Sequence, residues 1–158
     1  MNKELPNYNP CDAQAEDIKK VFNFLSSTEL EELCPYLELR EWQVDAVVMK
    51  EGEFENYMGF VTEGKLAVKK ETGFWGKHII IGLLDKGTMV GEGAFIDQGP
   101  RSTTVVAMEP TKILILEVPK MEELIAKKPM LAIKLMKRIL YILSVRLRKA
   151  GDRISELL

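Results

Sequence analysis

The chain has 158 residues, 46% of them apolar and 29% charged, which suits one domain with a real core and excludes a disordered chain. The formal net charge is −2, so no global basicity draws the protein to nucleic acid or membrane, and such a role would need a local patch. The start, MNKELPNYNPCDAQ, has no apolar leader core, and no apolar run is long enough to span a bilayer. Together these predict a soluble cytoplasmic protein with no membrane partner. Cys11 and Cys34 lack metal-site spacing and read as a reduced pair of thiols.

Residues 1–11 read as a polar arm. Over residues 12–36 the pattern is helical, with Val21, Leu25, Leu30 and Leu33 at roughly helical spacing. Ser27-Thr28 with Glu31 reads as the N-cap of a second short helix, and Pro35 ends it. From residue 37 the period changes. Short β-rich segments follow, punctuated by Glu-Gly-Glu at 51–53, Thr62-Glu63-Gly64, Thr72-Gly73, Asp85-Lys86-Gly87 and Glu109-Pro110. Many short strands without intervening helices predict a mainly β domain, an antiparallel sandwich or barrel with flanking helices.

Pro119 opens a short helical piece, and Pro129 opens a long helix. Ile133, Met136, Leu140, Leu143, Leu147, Ala150, Ile154 and Leu157 recur in that helix at threes and fours, as an a/d seam. Leu135, Ile139, Ile142 and Val145 form a second stripe. Two stripes fit two partners, the strand domain and a second copy of the chain; one broad core-facing stripe fits equally. Gly151-Asp152 reads as a helix break, which limits the seam to Leu147. The division is therefore residues 1–11, 12–128 and 129–158.

The stretch GEGAFIDQGPRSTT, residues 91–104, carries the chemistry. Gly91 and Gly93 let backbone approach a ligand closely, and successive N–H groups in such a bend make an anion-binding concavity. Glu92 can only accept hydrogen bonds at neutral pH and suits a ligand hydroxyl. Arg101 offers a fixed fork of donors matched to a phosphate, and Ser102 and Thr103 add hydroxyl donors. An anion clamp beside a hydroxyl acceptor fits a sugar phosphate. The same spacing also fits a surface ion pair between Glu92 and Arg101 across a hairpin.

VGEGAFIDQGPRSTTVVA resembles the phosphate-binding cassette of the cyclic nucleotide-binding domain family, shared by catabolite-activator-type regulators, cyclic-nucleotide-dependent kinases and gated channels. Gly91-Glu92-Gly93-Ala94 and Pro100-Arg101-Ser102 match the cassette, and EGE at 51–53, EGKLAVKK and LLDKGTMVGE fall where the family has its turn, strand and approach to the cassette. The resemblance implies an antiparallel, eight-stranded β-roll or jelly roll (a double-stranded β-helix) with N-terminal helices and a long C-terminal helix. It also implies roles. The N–H groups around Gly93 and Ala94 would face a cyclic phosphate, Arg101 would neutralise it and Ser102 would donate to it. Glu92 would accept from a ribose hydroxyl, Leu84 would pack on the base, and the C-terminal helix would supply a lid. The sequence departs from the family pattern in three places. Gly93 stands where a larger apolar residue is usual, Thr103 replaces Ala, and Leu143, Arg146 and Leu147 occupy the lid region without the Thr-Ser pair of the catabolite activators. Base choice is left open between cyclic AMP and cyclic GMP.

The expected function is a stand-alone, non-enzymatic cyclic nucleotide sensor that needs no cofactor and relays binding through the C-terminal helix to an effector protein or to a second copy. The alternative is an interaction or dimerisation module with a vestigial pocket. No DNA-binding segment is expected after the helix, and direct DNA binding is not expected. His78 is the only histidine, too few for a metal-dependent cupin site. Glu92 with Asp97 lacks the nucleophile or metal that acid–base work would need. Trp42 and Trp75 read as packing or contact residues. The terminal helix is basic through Lys134, Lys137, Arg138, Arg146, Arg148, Lys149 and Arg153, which read first as a solvated face.

Overall fold

The computed structural model describes Cys11, Asp12 and residues 15–158. The rest of the expected polar arm lies outside the described residues. Two short helices come first, α1 (Glu16–Val21) and α2 (Ser27–Leu33), followed by a 3-10 turn at Cys34–Tyr36. The cap of α2 is one residue earlier than the sequence suggests. The Ser26 hydroxyl accepts from the Glu29 N–H at 3.2 Å, and the Glu29 carboxylate accepts from the Ser26 N–H at 2.7 Å. That reciprocal pair satisfies two donors that a helix start leaves open.

The strands are β1 (Glu38–Trp42), β2 (Val47–Met49), β3 (Tyr57–Glu63), β4 (Lys65–Glu71), β5 (His78–Asp85), β6 (Met89–Val90), β7 (Thr104–Ala107) and β8 (Thr111–Glu117). Between β6 and β7 lies α3 (Glu92–Asp97); after β8 come α4 (Val118–Lys127) and α5 (Pro129–Glu156). All strand pairs are antiparallel. They form two separate four-stranded sheets, β1-β8-β3-β6 and β2-β7-β4-β5.

The expected mainly β, closed roll is therefore corrected. Each sheet keeps two edges, no ladder joins β1 or β6 to β2 or β5 among the described residues, and helices account for more residues than strands. The fold is mixed α/β. The physical reason lies in how the first sheet is covered. Strands β3 and β8 bury both faces, so they read as continuous apolar runs rather than as the alternation of a one-sided sheet. Met58, Phe60, Leu114 and Leu116 pack on the helices with Phe22, Leu30, Leu33, Leu124, Leu135 and Ile139. Val61, Ile113 and Ile115 face the second sheet and meet Val48, Met49, Leu66, Val105 and Ala107. Gly59 is required at this junction, since a Cβ there would lie 2.3 Å from Ile113 Cγ2.

Two further expectations change. Cys11 and Cys34 form a disulfide rather than a pair of free thiols, which ties the N-terminal segment to the corner after α2. The long helix does not break at Gly151-Asp152 but runs to Glu156. Gly151 costs it about 1 kcal/mol relative to Ala, an amount that the surrounding helix-forming residues absorb.

The two stripes on α5 separate except at Leu143, which packs partly on the helical core beside Ile142. Leu135 and Ile139 are buried in the helical core, while Leu140 is 61% and Leu147 75% exposed, with Ile133, Ile154 and Leu157 also open. One broad core-facing stripe is thus not what the helix carries. Edge strand β5 exposes Ile79, Ile80, Ile81 and Leu83, and the hairpin before it exposes Phe74 and Trp75. No helix among the described residues is long and apolar enough to cross a membrane.

Candidate functional site

Helix α3 starts at Gly91, whose backbone is left-handed at φ +75°. A side chain there is doubly disfavoured, because a Cβ would also lie 2.5 Å from Arg101 Nη1. The missing Cβ lets the Arg101 guanidinium reach the Gly91 carbonyl, to which Nη1 donates at 3.0 Å.

Arg101 is only 3% exposed. Its Nε donates to Glu55 at 3.1 Å and its Nη2 donates to the Tyr57 carbonyl at 2.6 Å. It also lies 4.8 Å from the Tyr57 ring centroid. These bonds engage three of the five guanidinium N–H groups. Arg101 thus binds the start of α3, the loop before β3 and β3 itself into one frame. The Tyr57 hydroxyl donates to the Val48 carbonyl at 3.0 Å, and burial, reinforced by the Glu55 charge, pushes its pKa up to about 12.

Glu92 and Arg101 do not pair with each other, so the surface ion pair across a hairpin is corrected. Glu92 is 4% exposed and forms its ion pair with Arg146 of α5. Arg146 also donates from Nη2 to the Met89 carbonyl at 2.7 Å. Burial pulls the Arg146 guanidinium below its ordinary pKa. It is therefore not part of a solvated basic face. Lys134 and Arg138 are not simply solvated either: Lys134 pairs with Glu29, and Arg138 lies over the Phe24 and Tyr141 rings.

A cavity of about 450 Å³ lies between α3, the second sheet and α5. Leu84, Gly91, Glu92, Gly93, Ala94, Arg101, Ser102 and Thr103 all line it, as do Leu143 and Arg146 of α5. At Gly93 a Cβ would meet nothing within 4 Å, so no contact requires a glycine there. Lys149 and Arg153 also line the cavity; the sequence showed them only as basic residues of a long helix. The partners of Arg101, Glu55 and Tyr57, were not foreseen, and no local pattern marks them, because the pairings span 46 and 44 residues. No cluster of His, Cys, Asp and Glu able to hold a metal occurs among the described residues.

The model of the cyclic nucleotide-binding domain family matches residues 39–128. The chain belongs to that family, a family of regulatory binding modules rather than enzymes. It is 28% identical over 130 residues to the cyclic AMP receptor protein of Thermus thermophilus, covering 82% of this chain and 58% of that one. It is 32% identical over 103 residues to the cAMP-dependent protein kinase regulatory subunit of Mycosarcoma maydis, covering 65% of this chain and 19% of that one. The chain thus spans less than two thirds of the length of both relatives. Among solved structures, a cyclic nucleotide-binding domain from Methylobacillus flagellatus superposes with a TM-score of 0.84 at 28% identity, covering 90% of this chain and 83% of that one.

Proposed function

We propose that the cavity takes a cyclic nucleoside monophosphate and that α5 reports its arrival. The observation that carries this reading is the placement of a buried acceptor, Glu92, and a buried fork of donors, Arg101, on the wall of one cavity that α5 closes. Two N–H groups of Arg101 remain for a phosphate, and the first turn of α3 adds backbone donors from Gly93 and Ala94. Glu92 would accept from the ribose hydroxyl, Ser102 and Thr103 would donate at the phosphate, and Leu84 and Leu143 would flank the base. Cyclic AMP is favoured over cyclic GMP, since the two sequence relatives are a cyclic AMP receptor protein and the regulatory subunit of a cAMP-dependent kinase.

Arg146 supplies the relay. It holds Glu92 from α5, so a hydroxyl that takes Glu92 competes with the helix for the same carboxylate. Ligand capture then shifts a population between a held and a released α5. Residues 12–128 act as the capture unit and residues 129–158 as the responding unit. The exposed heptad line Ile133, Leu140, Leu147 and Ile154 pairs two copies, and an effector protein reads the state of the helix.

A second reading draws on the same ion pair. If Arg146 permanently satisfies Glu92, the domain serves as a dimerisation or interaction module with a pocket that takes no nucleotide. A thermal-shift titration separates the two. Cyclic AMP at about 100 times its dissociation constant stabilises by about 2.7 kcal/mol, which raises the melting temperature by roughly 5–10 °C for a chain of this size. No shift with cyclic AMP or cyclic GMP at millimolar concentration would leave the second reading standing.

A further inference from the structure

The charges around the cavity do not balance. Arg101, Arg146, Lys149 and Arg153 line it, and Glu92 is the one carboxylate among its lining residues. Arg101 is neutralised by Glu55, which lies outside the cavity lining, and Arg146 takes Glu92 itself. Lys149 and Arg153 are left with no ion-pair partner among the described residues. Arg153 donates to the Ile81 carbonyl at 3.1 Å, which sets the guanidinium beside β5 without adding a countercharge. The facing wall is apolar, made of Val68, Ile81, Leu83 and Leu84.

The spacing 146, 149, 153 is i, i+3, i+7, so the three cations share one face of α5 and run for about 10 Å along it. Like charges stacked in this way repel by a few tenths of a kcal/mol per neighbouring pair. A cyclic mononucleotide brings a single negative charge, and the reading above assigns that charge to Arg101. The α5 pair has no role in it.

We infer that Lys149 and Arg153 form a second anion subsite and that the ligand carries two separated phosphate groups, one for Arg101 and one for the α5 pair. The inference rests on the nucleotide reading above and narrows its ligand class. The chemistry is shared by a cyclic dinucleotide and by a nucleoside carrying two phosphates. The second phosphate would draw the last turns of α5 down on the cavity, because both its ligands come from that helix.

Calorimetry on the whole chain tests this with cyclic AMP, cyclic GMP, cyclic di-AMP, cyclic di-GMP and adenosine 3′,5′-bisphosphate. The readout is the ratio of affinities, for the parent and for the double variant Lys149→Gln/Arg153→Gln. Both side chains are exposed, so circular dichroism should report an unchanged fold. The expected result is that a doubly phosphorylated probe binds the parent at least about tenfold more tightly than either cyclic mononucleotide, with the variant erasing that advantage. Which probe wins separates a cyclic dinucleotide from a bisphosphate. Tighter binding of a cyclic mononucleotide, or an advantage that survives in the variant, overturns the subsite and leaves the nucleotide reading intact. Binding of no probe overturns both.

Discussion

Replacing Arg101 by alanine should damage the fold before it damages any binding. The guanidinium is nearly sealed from water and makes three hydrogen bonds, to Glu55, the Gly91 carbonyl and the Tyr57 carbonyl. Removing one member of a buried charge pair costs roughly 3–5 kcal/mol. Here the side chain of Glu55 is 23% exposed and regains water when its partner leaves, which places the cost near the bottom of that range. About 3 kcal/mol in a chain of this length corresponds to a melting temperature lower by roughly 6–12 °C. Arg101→Lys should fall between, since an ammonium can meet Glu55 but cannot span both carbonyls with a planar fork. Differential scanning calorimetry without ligand gives the answer. A melting temperature for Arg101→Ala within about 1 °C of the parent would refute the view that this residue is a strut of the β3–α3 junction. Any loss of binding in the variant must therefore be read against its stability.

Further outcomes follow from exposed or open positions. Leu140→Glu with Leu147→Glu should convert a dimer to a monomer without changing its melting temperature extrapolated to low concentration, since neither side chain is in the core; light scattering showing a monomeric parent removes the seam. Gly93→Ala should stabilise by about 0.5–1 kcal/mol, because α3 gains a helix former and the new methyl meets nothing, as urea unfolding would show. Reducing Cys11–Cys34 releases a loop closed over 23 residues and should cost about 3 kcal/mol of stability, visible as a lower urea midpoint in dithiothreitol.

The cassette was legible because its chemistry is local. Gly91, Glu92, Arg101 and Ser102 lie within a dozen positions, and a turn between them needs no distant partner. What surrounds it was not. Glu55 and Tyr57 come from another part of the chain, and nothing near them signals that an arginine will lie against the ring. The same holds for Cys11 and Cys34, whose pairing depends on the N-terminal segment returning to the corner after α2. The prolines at 119 and 129 marked helix starts correctly, since a missing N–H is harmless there. Gly151 misled, because a single glycine weakens a long helix without ending it. Strand pattern gave the strands but not their closure. The runs in β3 and β8 are apolar on both faces, and that alone does not say whether the second face meets another sheet or a helix.

Helix α5 is held near one end. Leu135 and Ile139 grip the core, Ile142 and Leu143 pack partly against it, and the turns from Leu140 to Glu156 extend about 25 Å beyond Ile139, tethered by the polar contacts of Arg146 and Arg153. The geometry is that of a lever with its fulcrum at Ile139. Arg146 lies about 10 Å out, so a tilt of roughly 10° displaces it by about 2 Å, enough to part it from Glu92. The same tilt carries the tip at Glu156 through more than 4 Å. A movement at the pocket no larger than a broken hydrogen bond is thereby magnified more than twofold at the far end, where the exposed side chains of Ile154 and Leu157 would deliver it to whatever rests on them.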